Sequence, residues 1–439
     1  MTKEEKYKIA RWAMNHALQS GAQEARVSIY NNNSSQVEVR DEKIDKLQEA
    51  NQSSMAIALY VDGKYSSIST NRISDQEELG KFIEDAISGT RYLAEDPYRT
   101  LPDPELYYKG GGPDLKTIDA AFSSVDPQDK IRDAFGMEKE VLGKDERIIS
   151  VSASYSDGMS GSVMVASNGF EGDSENSYYS LSTSVSVTDG EARPRGYWYE
   201  SSIFSDKLVR EGVGAKALKK ALDKLGQKKI PSARLPMIIE NKSAGQVIGP
   251  LISALNGSSL QQKNSFLIDM LGETIGSGHM NITDDPFIVS GRGSRLFDRE
   301  GIATKKRSVV ENGILRTYFI DTYYGKKLEM EPNSGSTTNL VFEPGEQDLE
   351  ALLADISRGI FVTGFNGGNS NPVTGDFSYG IEGFLVEKGQ LIQPVAEMNI
   401  TGNYKELWHQ LIAVGSDVDT NRSWRLPSLV FDKVDFSGM

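Results

Sequence analysis

The 439-residue chain has no cysteine and only three histidines. Disulfides and thiolate metal ligands are therefore excluded, a composition that fits a reducing compartment. His16, His279 and His409 lie in three unrelated contexts, so neither a histidine cluster nor a Ser-His-Asp arrangement is legible. A Gly-x-Ser-x-Gly elbow and a Walker-type loop are also missing. Gly110-Gly111-Gly112-Pro113 is not followed by the Gly-Lys-Ser/Thr that a phosphate loop requires. No apolar run approaches the ~18 residues a membrane helix needs. The opening MTKEEKYKIARWAMNHALQSG lacks the apolar core and cleavage site of a secretory signal, so we expect a cytoplasmic location and no membrane partner. Positive charge is the scarcer sign, with 48 Lys and Arg against 62 Asp and Glu and a net charge of -14. A general affinity for nucleic-acid phosphate depends on basic side chains releasing counterions, so no nucleic-acid partner is expected.

Glycine is plentiful at 42 residues, about a tenth of the chain against an average near 7%, which implies many tight turns and hence many strands. At roughly 150 residues per domain, the length implies two or three domains. The pattern predicts a multi-domain α+β protein with an N-terminal α+β unit over 1–98, a central strand-rich unit over 116–230 that ends in a helix, and a C-terminal β-rich domain over 235–439. In the first unit a helix over 3–20 carries Ile9, Trp12, Ala13 and His16 on one face, where a packed histidine is a better reading than a ligand. Alternating strands follow, then a hairpin turning at Asp62-Gly63, and a helix with Ser74 and Glu77 as its capping box. Three prolines and the glycine run make 95–113 a linker or an extended arm.

In the central unit, Leu181, Val185 and Val187 alternate with serines, which gives one buried and one wet face. A solvated surface is favoured over a ligand surface there. The spacing predicts a helix over 205–225 with Leu208, Val209, Leu218, Leu222 and Leu225 inward, and with lysines 216, 219, 220, 224, 228 and 229 as solvated charge. Farther on, His279 with Asp284 and Asp285 is a weak metal signal that turn chemistry explains equally well. Hairpins are expected at Asn312-Gly313 and Lys388-Gly389, a loop over 363–380, and a last helix over 403–415 with His409 exposed. Between Pro236 and Lys263 lies a buried strand and then a short helix, with Ser243 at its N-cap and Val247, Ile248, Leu251, Ile252 and Leu255 as its stripe. Pro250 implies either a kink or a late start.

Three blocks, SLQQKNSFLIDMLGE, FDREGIATKKRSVVENGILRTYFIDTYYGKKL and PVTGDFSYGIEGFLVEKGQLIQPVAEMNITGN, agree in order and spacing with the TldD/PmbA family, and the chain resembles its PmbA branch, also called TldE. The resemblance implies a metal-bearing partner, TldD, that is similar to a zinc peptidase with His-Glu-x-x-x-His on the helix matched here. The two imidazoles hold the ion and the glutamate acts on its water. Gln246 and Val247 stand where the first His and the Glu would be, Pro250 where the second His would be, and Trp424 nearest a further ligand, a C-terminal cysteine. The resemblance therefore implies a subunit with no catalytic or metal-binding residues and no activity alone, zinc being held only by a TldD-like partner. It further implies peptides or unfolded proteins as substrates, and a homodimer when the partner is absent. The alternative is a regulatory protein-binding module, in line with the family's older label, modulator of DNA gyrase.

Overall fold

The computed structural model of the chain describes residues 1–438. Helix α1 (Lys3–Gln19) starts at Thr2, whose hydroxyl accepts from the Glu5 N–H while Glu5 caps it in return. Strands β1 (Glu24–Arg40), β2 (Lys43–Val61) and β3 (Lys64–Thr70) follow, the last two joined at Asp62 and Gly63 with φ of 52° and 73°. Two successive positive φ values define the tight turn that the dipeptide signals. Helix α2 (Gln76–Thr90) is capped by Asp75, not by Ser74, because the Asp75 carboxylate accepts from both Glu77 and Glu78 N–H. After the arm come α3 (Pro127–Lys139), β4 (Ile148–Ala166), β5 (Glu171–Val187), β6 (Arg195–Ser202) and α4 (Val213–Leu222).

These strands form one antiparallel sheet in the order β3-β2-β1-β4-β5-β6. β1 pairs with β4 from Arg26 opposite Ala166 to Arg40 opposite Ser152, so the first two sequence units share a single sheet. β1 runs unbroken through Asn31-Asn32-Asn33 and β4 through Gly158 to Gly161, where alternation alone marks separate strands. Odd-numbered residues of β1, β4 and β5 face the helices: Val27, Ile29 and Val165 lie under α1, and Tyr155, Leu181 and Val185 under α3 and α4. Even-numbered residues face the other way, away from α1, α3 and α4.

The helix expected over 205–225 starts only at Val213. Leu208 is extended, Gly212 sits at φ +79°, and Val209 is exposed. The Glu140 carboxylate fixes this start by accepting from Gly212 and Gly214 N–H at 2.7 Å and from Ala215 N–H at 3.2 Å.

The C-terminal part contains β7 (Ala233–Ile239), α5 (Gly245–Ala254), α6 (Gly257–Gln261), β8 (Ile282–Asp284), β9 (Arg307–Glu311), β10 (Ile314–Leu315) and α7 (Thr322–Leu328). Then come β11 (Leu340–Phe342), α8 (Leu349–Ala354), β12 (Arg358–Ser370), β13 (Asp376–Glu387), β14 (Gln390–Asn403), α9 (Tyr404–Leu407), β15 (Leu411–Val414), β16 (Trp424–Arg425) and β17 (Leu429–Ser437). One sheet runs β14-β13-β12-β7-β17-β15, and β14 also pairs with β17, so five of its strands close into a ring. A smaller sheet, β10-β9-β8-β11-β16, packs with it over one core that includes Val247, Ile248 and Leu251 of α5. Residues 363–380 are a bulged β12–β13 hairpin rather than a loop, with register shifts at Val362/Gly364 and Asn366/Gly368. The helix expected over 403–415 is cut to Tyr404–Leu407 and a 3-10 turn, because Leu411 to Val414 pairs with β17 as a strand.

Of the six lysines read as solvated charge, Lys219 is exposed and pairs only with Asp223 and Lys216 pairs with Glu200 of its own half, whereas three join the two halves. Lys220 pairs with Glu240 at 2.8 Å, Lys224 with Glu382 at 2.6 Å and Lys229 with Glu397 at 3.3 Å. The arm adds main-chain bonds, from Tyr108 N–H to Gly301 O and from Ala303 N–H to Leu106 O.

Candidate functional site

Helix α5 begins with Ala244 as its N-cap, and the Ser243 hydroxyl instead donates to Thr363 O at 2.8 Å. Gln246 is exposed, Val247 is fully buried, and Pro250 lies half-buried inside the helix, where its missing N–H removes the i+4 donor that Gln246 O would otherwise have. A His-Glu-x-x-x-His motif separates its histidines by five positions, so with the second on Pro250 the first falls on Gly245 and the glutamate on Gln246. That is one residue earlier than the sequence reading. A Cβ at Gly245 would meet nothing within 4 Å, so the site lacks ligand atoms rather than room. Trp424 is half-buried against the core and donates to Thr337 Oγ1 at 3.4 Å. These groups do not fit a zinc ion in either register, since an amide, an aliphatic group, a glycine and a proline ring supply no imidazole or carboxylate.

The charge around the start of α5 is also wrong for a cation. The Lys242 ammonium lies 4.3 Å from the Trp198 ring centre and 4.7 Å from that of Tyr199. The Arg422 guanidinium sits 5.0 Å over the same Tyr199 ring and donates to Lys242 O and to the Tyr199 hydroxyl. Buried Asp419 serves both cations, at 3.7 Å and 3.4 Å. Among the described residues no three His, Cys, Asp or Glu side chains converge. His279 is exposed, Asp284 is buried against Arg307 and Thr338, and Asp285 pairs with Lys306 at 2.9 Å. His16 stacks on Trp12 and reaches Glu84 at 3.1 Å, as a packed histidine does, and His409 is exposed.

A cleft of about 1020 Å³ opens between the face of the large sheet turned away from α1, α3 and α4 and a loop of the C-terminal part. Its floor is neutral and polar. Ser160 donates to Asn176, and the Ser162 and Ser174 hydroxyls meet at 2.9 Å, with Tyr30, Asn32 and Tyr178 beside them. Its wall carries Gly291-Arg292-Gly293. A Cβ at Gly293 would come within 2.3 Å of Thr338 O, so only glycine lets the loop lie this close. Fully buried Asn339 accepts from Gly293 N–H and donates to Asp285 O and Ser294 Oγ, which fixes the loop. Arg292 keeps an exposed side chain, yet the protein around it partly desolvates the guanidinium and lowers its pKa, which the nearby Tyr199 and Tyr178 oppose. Burial likewise lowers Arg295, and both remain cations.

Sequence reasoning singled out Gln246, Val247, Pro250 and Trp424, all of which belong to the C-terminal part. It missed the cleft, whose only sequence signal is the run of Ser, Asn and Tyr at alternate positions of strands far apart in the chain.

Comparison with known proteins identifies the fold and the family. Models for domain 1, the central domain and the C-terminal domain of the PmbA/TldA metallopeptidases match residues 25–89, 120–225 and 232–438. A metalloprotease PmbA homolog of Haemophilus influenzae is 32% identical over 97% of this chain and 95% of its own. Metalloprotease PmbA of Escherichia coli O157:H7 is 28% identical, over 98% and 96%. The crystal structure of a Bacteroides thetaiotaomicron protein, named for a proposed role as a modulator of DNA gyrase, superposes with a TM-score of 0.98 at 51% identity over 100% of both chains. TldE from Thermococcus kodakarensis shares the fold, with a TM-score of 0.85 at 20% identity over 98% of this chain and 100% of that one. With relatives matched from end to end, the chain belongs to the PmbA/TldD family of metallopeptidase-related proteins.

Proposed function

We propose that the chain is the non-metal-binding, TldE-like subunit of a TldD–TldE type metalloprotease that degrades peptides or unfolded proteins. One observation carries this reading. The fold is retained throughout, while the helix matching the peptidase motif offers Gly245, Gln246, Val247 and Pro250 and is flanked by Lys242 and Arg422. A TldD-like partner holds the zinc and the water it activates. This chain supplies the rest of the chamber, with a polar sheet face for an extended substrate and an open strand edge. β3 covers β2 only from Met55 to Val61, so residues 43–54 of β2 keep a free outer edge, with Ile44 and Leu47 exposed. Backbone pairing along such an edge gives affinity with little sequence preference, which suits degradation. Without the partner the chain forms a homodimer, and it works in the cytoplasm.

The test mixes the chain with a TldD-like protein. A stable heterodimer is expected, with EDTA-sensitive cleavage of an unfolded protein in the mixture and none by this chain alone. EDTA-sensitive cleavage by this chain alone overturns the proposal. A second reading is favoured by the name of the 51% identical Bacteroides protein: a module that binds gyrase without proteolysis. Capture of gyrase, with no complex formed with a TldD-like chain, would select it.

A further inference from the structure

The cleft described above holds cations without ion-pair partners, which proteolysis in general does not require. In a chain of net charge -14, its wall brings together Lys116, Arg292, Arg295 and Arg299. Four carboxylates line it as well, Asp114, Asp173, Glu175 and Asp298, and among the described residues none makes an ion pair with these four cations. Asp114 caps Lys116 N–H, and buried Asp298 caps Glu300 and Ile302 N–H. Asp173 sits at an odd position of β5, where it turns to the opposite face and pairs with Lys3 and Tyr7 of α1. Glu175 turns the same way, so that a Cβ at Gly161 would lie 3.4 Å from both its Cγ and Lys6 Nζ. Arg295 is spent on Ser336 and Thr337. Arg292 and Arg299 make no ion pair among the described residues, and the Arg292 guanidinium lies 5.9 Å from the Tyr178 ring centre at the cleft floor. The turn that presents Arg292 is held by buried Asn339 and two glycines, so its geometry is set before any ligand arrives.

We infer that this cleft binds an extended peptide by a carboxylate, with Arg292 as the anchoring residue, Arg299 as a second cation, and the Ser160, Ser162, Ser174 and Asn176 row meeting the peptide backbone. A guanidinium matches a carboxylate through paired N–H donors, and the cleft volume is at the upper end for a small-molecule site, which suits a longer ligand. The inference rests on the reading of this chain as a substrate-handling subunit.

The test measures binding of octapeptides carrying an uncharged, carboxylate-free fluorophore to the isolated full chain by anisotropy. Three peptides of one neutral sequence are compared: free C-terminal carboxylate, C-terminal amide, and amide with one internal Asp. We expect the carboxylate-bearing peptides to bind at least roughly tenfold more tightly than the neutral amide, as a charge-assisted bond implies. Preference for the free acid alone assigns the terminus, and equal preference for the Asp peptide assigns side chains. Arg292→Gln should abolish the preference and Arg292→Lys should retain part of it, with circular dichroism confirming both folds. Equal binding of all three peptides, or an unchanged preference in Arg292→Gln, overturns the inference. Complex formation by the wild-type chain with a TldD-like partner is measured separately. A complex without carboxylate preference sinks only this inference, and preference without a complex sinks only the subunit reading.

Discussion

Replacing Arg307 with Met should unfold the smaller C-terminal sheet at far lower denaturant than wild type. Asp284 on β8 is 1% exposed and accepts from Thr338 N–H and Oγ1 at 2.6 Å and from Arg307 Nε and Nη2 at 3.1 Å. Arg307, 12% exposed, also donates to Asn333, Ser334 and Ser336 and lies 4.5 Å over the Phe319 ring. Met keeps most of the packing but strands a buried carboxylate, and removing one partner of such a pair costs about 3–5 kcal/mol. Asp284→Leu strands the guanidinium instead. The double variant should recover part of the loss, giving a coupling of at least about 2 kcal/mol. Hydrogen exchange of the β8 and β11 amides in urea reads this sheet alone, which matters because a chain with several structural units need not unfold in one step. His279→Ala should change nothing, since His279 is exposed. An Arg307→Met loss below about 1 kcal/mol, or a His279→Ala loss matching that of Asp284→Leu, would refute the assignment of Asp284 to a structural pair.

Three further outcomes follow from the geometry. Gly383→Ala puts a Cβ 1.9 Å from Phe361 O across the β12–β13 pair, so overpacking should cost about 1–3 kcal/mol or more, read as a lower urea midpoint of the C-terminal part. Glu140→Ala removes the acceptor for three N–H groups at the start of α4 and should cost about 1–2 kcal/mol, visible as faster exchange of the Gly214 and Ala215 amides. Asp119 is buried, which by itself raises its pKa, but the Ser205 and Ala121 N–H groups and the Tyr179 hydroxyl outweigh burial and hold it below the usual value. A depressed folded pKa gives stability that is present above the unfolded value near 3.9 and lost as pH falls through the folded one. Asp119→Asn should therefore flatten the acid limb of stability below about pH 4, and an unchanged acid limb would contradict this.

What was legible in the sequence is what local chemistry decides. Asp62-Gly63 and Lys388-Gly389 mark hairpins because each pair must take positive φ, as Lys388 and Gly389 do at 50° and 76°. Tyr404 and Trp408 are buried as their one-turn spacing implies, although the helix is short. Pairing partners far along the chain decide the rest. Asn31 to Asn33 look like a break, yet they are strand because Asn31 donates to Ser53 and β4 pairs alongside. Helix α4 starts at Val213, with Gly212 as its N-cap, because Glu140, over seventy positions earlier, reaches the N–H groups there. Lys220 and Lys224 read as solvated until Glu240 and Glu382 are brought to them. The cleft was hidden for the same reason, since its floor and Arg292 meet only in three dimensions, whereas the altered peptidase helix is visible once its family is recognised.

Metal content of the purified full chain, measured by mass spectrometry after equilibration with micromolar zinc and gel filtration, tests the central claim most directly. The account predicts zinc well below one ion per chain, unchanged by EDTA. One tightly held zinc per chain, lost on Gln246→Ala, would contradict it.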